Sequence, residues 1–239
     1  MATTTTKTAF WEGFRDGAPF FLVLAPFAAL FGVVATEAGL NVFETLVFSI
    51  AVLAGTAQFA ALQLISDNTP TLIVIASALA VNLRMAMYSA SLAPHFAGAP
   101  LWQRAFAAYS TVDQSAALSL TKYDAQPEMP RAAKLAYFFG VITVALPTWY
   151  GFTLVGALGG QAVPESWALD FALPITFLAM IGPMMRTPAH LAAAFVSVVG
   201  ALALTTVPYN LGLLIAALLA MMTGAQVELW LSKKEPRDE

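Results

Sequence analysis

Charged residues are scarce in this chain. It has 11 Lys and Arg and 14 Asp and Glu among 239 residues, which is 10% of the total. An ordinary soluble domain carries about 25%. A water-facing surface needs more charge than this, so the shortage excludes most soluble classes. With 59% hydrophobic residues and a mean hydropathy of +0.74, the composition indicates an integral membrane protein.

Cysteine is absent, and histidine occurs only at His95 and His190. These two facts exclude disulfides, thiolate zinc sites and cysteine nucleophiles, and the separated histidines argue against a metal site. No Gly-x-Ser-x-Gly, His-Glu-x-x-His or P-loop pattern is present, so we predict no enzyme activity and no cofactor. A net charge of −3 provides no basic field for nucleic acid.

Long apolar runs predict an all-α, polytopic fold of about eight transmembrane helices in a single domain over 1–239. A spanning helix needs roughly 20 mostly apolar residues. Runs that meet or approach this length are 17–36, 45–66, 69–93, 104–121, 135–164, 171–185 and the 41-residue stretch 187–227. Pro208 and Asn210 divide the last stretch into two spans.

The segment 104–121 is ambiguous, because it carries Asp113 and Gln114 among small residues. It fits a span, a re-entrant segment or a surface helix. Basic residues prefer cytoplasmic loops. If the segment spans and the N-terminus is inside, nine Lys and Arg lie inside and only Arg104 lies outside. We therefore predict eight spans in the cell (inner) membrane with both termini cytoplasmic.

Prolines within apolar runs predict broken helices. Pro26 in the first span and Pro147 in the fifth remove backbone hydrogen bonds, as do Pro174 and Pro183. Matching proline positions also indicate two related four-helix halves, 17–121 and 135–231. The alternatives are kinks that only improve packing and a chance alignment of 14 prolines.

Polar residues inside the predicted spans mark a candidate site, because ionisable groups there are costly. The candidates are Gln58, Asn82, Arg84, Tyr88, Asp113 and Gln114. Our hypothesis places Arg84 and Asp113 at one cavity, where they hold the two ends of a zwitterion or exchange a proton. The alternatives are a purely structural ion pair and an Arg84 that extends toward the membrane surface. Gln58 is equally plausible as a link between helices.

Several motifs together resemble the AzlC family, the large subunit of branched-chain amino acid exporters. They are an opening FWEGFRDGAPFFLVLAPFAALFGVVATEAGL, then AGTAQFAALQLI, NLRMAMYSASLAPHF and TVDQSAAL. The similarity runs from about residue 10 to 230. Each motif alone would be weak, and the Asn-Leu-Arg and Asp-Gln pieces are fairly specific together.

The resemblance implies a permease that exports leucine, isoleucine and valine, driven by proton influx and working with a small AzlD-like membrane subunit. It carries the family's polar positions onto the six candidates named above. Two departures affect this: family members often have His where this chain has Met85, and an aromatic residue where it has Ala116. The missing His leaves Asp113 as the candidate proton carrier.

Two functional classes stay open on the sequence. One is a secondary amino acid exporter, and the other is a channel or a membrane assembly subunit without transport of its own. The sequence is also compatible with a homo-oligomer.

Overall fold

The computed structural model describes residues 5–160, 185, 187–207 and 211–233, and these residues form helices and no strands. The helices are α1 (Thr6–Gly17), α2 (Phe21–Glu37), α3 (Val42–Ala51), α4 (Gly55–Ser66), α5 (Thr71–Leu92), α6 (Leu101–Tyr109), α7 (Asp113–Ala125), α8 (Arg131–Gly160), α9 (Pro188–Ala203) and α10 (Leu211–Ser232). Short 3-10 turns at Ala18–Phe20 and Ala93–Phe96 extend α1 into α2 and lengthen α5.

The chain divides into two compact units. Unit 1 comprises Met1–Leu62 and Ala78–Trp167, and unit 2 comprises Gln63–Ser77 and Ala168–Glu239. Within the described ranges, four helical stretches are long and apolar enough to cross a membrane: Thr6–Glu37, Thr71–Phe96, Arg131–Gly159 and Leu211–Ser232. The predicted span 171–185, except Met185, lies outside the described residues, as do Pro174, Pro183, Pro208 and Asn210.

The frame of unit 1 has two long parts that run parallel to each other: the successive helices α1 and α2, and the helix α8. Glycines let α1 and α2 approach α8 backbone to backbone: a Cβ on Gly13 would collide with Tyr137, and one on Gly32 with Thr153. In return, a Cβ on Gly156 would collide with Ala29. Residues farther along α1 and α2 contact residues farther along α8. The α1–α2 stretch and α8 therefore run in the same direction.

The predicted span 45–66 is instead a re-entrant hairpin, broken at Val52–Ala54 (the first tip). Helix α3 starts just after α2 ends, with Asn41 and Glu44 forming a reciprocal cap. Helix α3 runs back into unit 1 until Ser49 contacts Thr153 of α8, with Oγ and Oγ1 3.4 Å apart. Helix α4 then runs back toward the end of α2. Its first residue, Gly55, lies beside Phe27 and Trp149, whereas Phe59 contacts Phe31, which is farther along α2.

The predicted span 104–121 is a second re-entrant hairpin, broken at Ser110–Val112 (the second tip). Its α7 arm ends where its α6 arm begins: the Tyr123 ring lies 4.8 Å from the His95 ring, and Arg131 Nη1 donates to the Ala97 carbonyl at 3.3 Å. The prediction that this segment crosses the membrane is therefore not confirmed, because its two ends lie at one end of unit 1. Hydropathy detects apolar length but carries no information on chain reversal.

The two hairpins enter unit 1 from opposite ends, and each has the pattern Gln-x-Ala-Ala-Leu-x-Leu after its tip, starting at Gln58 and at Gln114. This pairing differs from the predicted parallel halves 17–121 and 135–231, which stay a prediction because much of the second half lies outside the described residues.

Basic residues of unit 1 gather at the end where α1 and α8 begin, which we call the basic end. Its members are Lys7, Arg15, Arg104, Lys122, Arg131 and Lys134. Arg104, predicted on the opposite side, joins them because α6 starts at this end. The other end of unit 1 has Glu37 and Glu44, and no Lys or Arg lies between them. Because two predicted spans are hairpins, the number of crossings between α1 and α8 falls by two, and α8 still runs parallel to α1. The basic residues near the starts of both helices therefore still lie at one end of unit 1.

Pro26 and Pro147 do not break their helices. Both lie inside continuous elements, α2 and α8. A helix can pass through proline in a membrane when neighbouring groups satisfy the freed carbonyl. Within the described residues, the two hairpin breaks lie instead at Val52–Ala54 and Ser110–Val112, which contain no proline.

In unit 2, α9 and α10 form an antiparallel pair. Gly200 faces Ala216, and Gly224 faces Ala193. This pairing agrees with two helical segments within the predicted stretch 187–227.

Single cysteines test the second hairpin, because the natural chain has none. We expect Ala97→Cys and Gln126→Cys to react with a membrane-impermeant maleimide from the same side of the membrane. Ala38→Cys, in the loop after α2, should react from the other side.

The cysteine-free chain is the background control for this labelling. If 104–121 crossed the membrane, the cysteines at 97 and 126 would label from opposite sides, which would contradict the hairpin.

Candidate functional site

The two hairpin tips meet at one apolar cluster in unit 1. Leu53 from the first tip and Val112 from the second pack with Leu24 and Ala145 around the buried Trp149. The cluster lies near the middle of the helical stretch Thr6–Glu37 and of α8. The tips are therefore held inside the unit, away from both of its ends.

Helix breaks expose backbone groups, and side chains satisfy several of them. The carbonyl of Ser49 accepts from Gln58 Nε2 at 3.4 Å, and that of Ile50 accepts from the Tyr109 hydroxyl at 2.8 Å. At the second tip, Thr111 Oγ1 donates to the Ala107 carbonyl at 2.8 Å. A backbone group left unpaired in lipid costs roughly several kcal/mol, so these hydrogen bonds stabilise the helix breaks.

Arg84, at mid-length of α5, joins the two hairpins. Its Nη2 lies 3.1 Å from Asp113 Oδ2 and donates to Thr56 Oγ1 at 2.7 Å. Thr56 is the second residue of α4, and Asp113 is the first of α7. One guanidinium therefore contacts the first turn of each half-helix.

Both half-helices direct their N-terminal ends toward this point. Such ends carry partial positive charge and N–H groups without intrahelical acceptors. The negative charge of Asp113 is favourable beside these positive helix ends. The positive charge of Arg84 is unfavourable there, and Asp113 compensates it. Among the described residues, Asp113 Oδ1 and Arg84 Nε are shielded and have no hydrogen-bond partner. The pair therefore keeps unused bonding capacity.

Of the six predicted residues, the structure brings three together. Arg84 contacts Asp113, and Tyr88 lies beside that carboxylate. The contact excludes an Arg84 that only extends to the surface. Gln58 instead caps Ser49 across the first tip, as its structural interpretation requires.

Asn82 and Gln114 are not joined to the pair by any hydrogen bond in the described part of the chain. Asn82 Oδ1 is shielded and has no partner among these residues. Gln114 follows Asp113 in the first turn of α7.

Sequence reasoning missed Thr56 and Trp149 as parts of the site. Neither residue was among the six candidates. Trp149 is 6% exposed, and its indole N–H has no partner within the described ranges. Its position beside both tips follows from the packing, and no local pattern marks it.

Comparison with known proteins identifies a family and two related membrane proteins. Residues 19–163 match the family described as AzlC protein. The chain is 25% identical to "Inner membrane protein YgaZ" of Escherichia coli (strain K12), over 93% of this chain and 96% of that one. It is 26% identical to an "Uncharacterized membrane protein" of Archaeoglobus fulgidus, over 78% and 80%. No solved structure gives a significant match.

We expect Gln58→Leu to destabilise the fold. The substitution removes the donor to the buried Ser49 carbonyl, and an unsatisfied buried group costs about 1–3 kcal/mol. Thermal unfolding in detergent measures the loss. Gln63→Leu is the matched control: Gln63 is exposed on the same helix, and its Nε2 donates to Asp67 Oδ1 at 3.2 Å, an exposed bond whose loss should change stability by less than about 0.5 kcal/mol. Equal effects of the two variants would contradict the capping role.

Proposed function

Because the chain belongs to the AzlC family, a family of membrane proteins, we propose that it is a secondary transporter that exports branched-chain amino acids from the cytoplasm. It would act with a small AzlD-like membrane subunit and couple export to proton influx. The observation that carries the proposal is the Arg84–Asp113 pair between the N-terminal turns of α4 and α7.

The carboxylate of an amino acid finds three kinds of attraction at this point. Arg84 supplies a guanidinium, Thr56 a hydroxyl, and the two half-helices supply N–H groups at their positive ends. Transporters with discontinuous helices hold substrate carboxylates in this way.

The ammonium group is matched by Asp113. Without substrate, Asp113 and Arg84 compensate each other at 3.1 Å. A zwitterion can enter by exchange: its carboxylate takes the place of Asp113 beside Arg84, and its ammonium takes the place of Arg84 beside Asp113. No charge is left unpaired, which avoids the cost of an isolated ion in low dielectric.

Proton coupling is assigned to Asp113. Protonation would remove its charge and weaken both the ion pair and the hold on an ammonium group. A proton arriving from outside would thereby release the substrate, and deprotonation toward the cytoplasm would reset the site. Met85 stands where family members often have His, so that alternative carrier is missing here.

The basic end is assigned to the cytoplasm, because Lys and Arg are retained on that side. This orientation places the N-terminus and the start of α8 inside. Arg186, Lys234 and Arg237 are three of the nine basic residues that the sequence argument counted inside, and they lie outside the described residues.

We expect Arg84→Ala and Asp113→Asn each to lower leucine export at least tenfold. Each removes a charged partner, and charged hydrogen bonds contribute about 1.5–3 kcal/mol. The measurement is counterflow of labelled leucine in proteoliposomes, with a pH gradient and with or without the small subunit. Arg15→Ala and Asp124→Asn, on exposed positions of α1 and α7, are the matched controls and should retain flux.

A double variant separates the transport role from a structural one. If the pair only neutralised two charges, Arg84→Gln with Asp113→Asn would export normally. We expect it to stay inactive while remaining folded. Leucine flux absent from the natural chain, with and without the subunit, would favour a channel or an assembly subunit.

A further inference from the structure

One hydrogen bond runs directly from the second hairpin to the first. The Tyr109 hydroxyl, at the end of α6, donates to the Ile50 carbonyl near the end of α3 at 2.8 Å. The Tyr150 hydroxyl of α8 lies 2.6 Å from the same tyrosine oxygen. Because the proton of Tyr109 is already engaged, Tyr150 is the donor in this second bond. The two bonds together join both hairpins to α8.

The Ile50 carbonyl is available because α3 stops next to it. In a continuing helix it would accept from the amide of Ala54, four residues on, but that amide donates to the Val52 carbonyl at 2.9 Å. The last carbonyls of a helix need partners from elsewhere in the protein. The break in the first hairpin is therefore stabilised by a side chain of the second hairpin.

The half-helices that follow the tips are linked in a different way. Arg84 contacts Thr56 in α4 and Asp113 in α7. This link depends on charge, and in the proposed exchange it opens when a zwitterion takes the place of Asp113 beside Arg84. The Tyr109 bond uses none of the groups that exchange. It can therefore persist while the substrate is bound.

The Tyr109 bond lies close in sequence to the starts of both half-helices. Four residues separate Ile50 from Gly55, the first residue of α4, and three separate Tyr109 from Asp113, the first residue of α7. Holding Ile50 against Tyr109 thus limits how far the two helix starts can move apart. One amino acid can contact both of them only while they stay together.

We propose that Tyr109 is a positioning residue that keeps the two hairpin tips together while substrate replaces the Arg84–Asp113 contact. The proposal rests on the proposed function, because it requires a substrate held between the first turns of α4 and α7. Tyr109 acts through the hairpins and does not touch the substrate. If the tips are together in only a fraction of the molecules, the apparent substrate affinity falls in proportion to that fraction.

Tyr109→Phe tests the positioning role, because it removes the hydroxyl and keeps the ring with its contact to Phe106. We expect the KM for leucine export to rise about fivefold, as the loss of one hydrogen bond allows, and the maximal rate to change less than about twofold. Initial rates in proteoliposomes over a range of leucine concentrations measure both. Tyr150→Phe is the matched control: it removes the bond to α8, leaves the bond from Tyr109 to Ile50, and should leave KM unchanged.

A distance measurement tests the link between the hairpins without transport. Phe43, at the start of α3, and Leu101, at the start of α6, are both exposed, and the hairpins enter unit 1 from opposite ends. Spin labels on Phe43→Cys and Leu101→Cys report the distance between the hairpins by double electron–electron resonance, and the chain has no other cysteine. We expect a broader distance distribution with Tyr109→Phe and an unchanged one with Tyr150→Phe.

The two measurements separate the failure of this proposal from the failure of the proposed transport. An unchanged KM or an unchanged distance distribution in Tyr109→Phe would overturn the positioning role and leave the transport intact. Equal effects of Tyr109→Phe and Tyr150→Phe would also overturn it, because the bond to α8 would then be the one that matters. Absence of leucine flux in the natural chain would overturn the transport and the substrate part of this proposal, whatever the distances show.

Discussion

Backbone satisfaction inside the membrane is the constraint on which unit 1 depends. Two helices stop and reverse there, and each stop frees polar backbone groups that lipid cannot bind. Gln58 and the Tyr109 hydroxyl donate hydrogen bonds to carbonyls near the end of α3, and a hydroxyl of the second tip donates to a carbonyl near the end of α6. The glycine contacts between α1, α2 and α8 provide the frame against which both tips pack.

The same reversals create the site. Each hairpin ends its break with a new helix N-terminus, and both N-termini lie next to Arg84. A carboxylate at Asp113 is stabilised by the α7 dipole, and it in turn allows a guanidinium near two positive helix ends. The fold thus brings together opposite charges and free N–H groups in one half-buried place. An amino acid presents the same two charges on one small molecule, and this likeness is the physical basis of the proposed transport.

Much of this could be predicted from sequence, and the failures have a common cause. Apolar runs correctly indicated helices, and the structure places Arg84 and Asp113, which were chosen because charges are costly in spans, in contact with each other. Segments 45–66 and 104–121 were assigned as spans because hydropathy measures length alone. Breaks were expected at Pro26 and Pro147, where a hydrogen bond is lost, although both helices continue. The real tips lack proline, and Thr56 and Trp149 carried no local signal.

The sequence by itself determined that the chain belongs in lipid, that it is helical, and that its basic residues favour one side, because these follow from composition, from the lengths of the apolar runs and from where the charges fall between them. Tertiary structure decided where the chain reverses, which end Arg104 occupies, and that Arg84 meets both Asp113 and Thr56. Those outcomes depend on contacts between residues far apart in sequence, such as Ser49 with Thr153 and Tyr123 with His95. A helix that turns back and one that crosses have the same local pattern, and only packing against α2 and α8 distinguishes them.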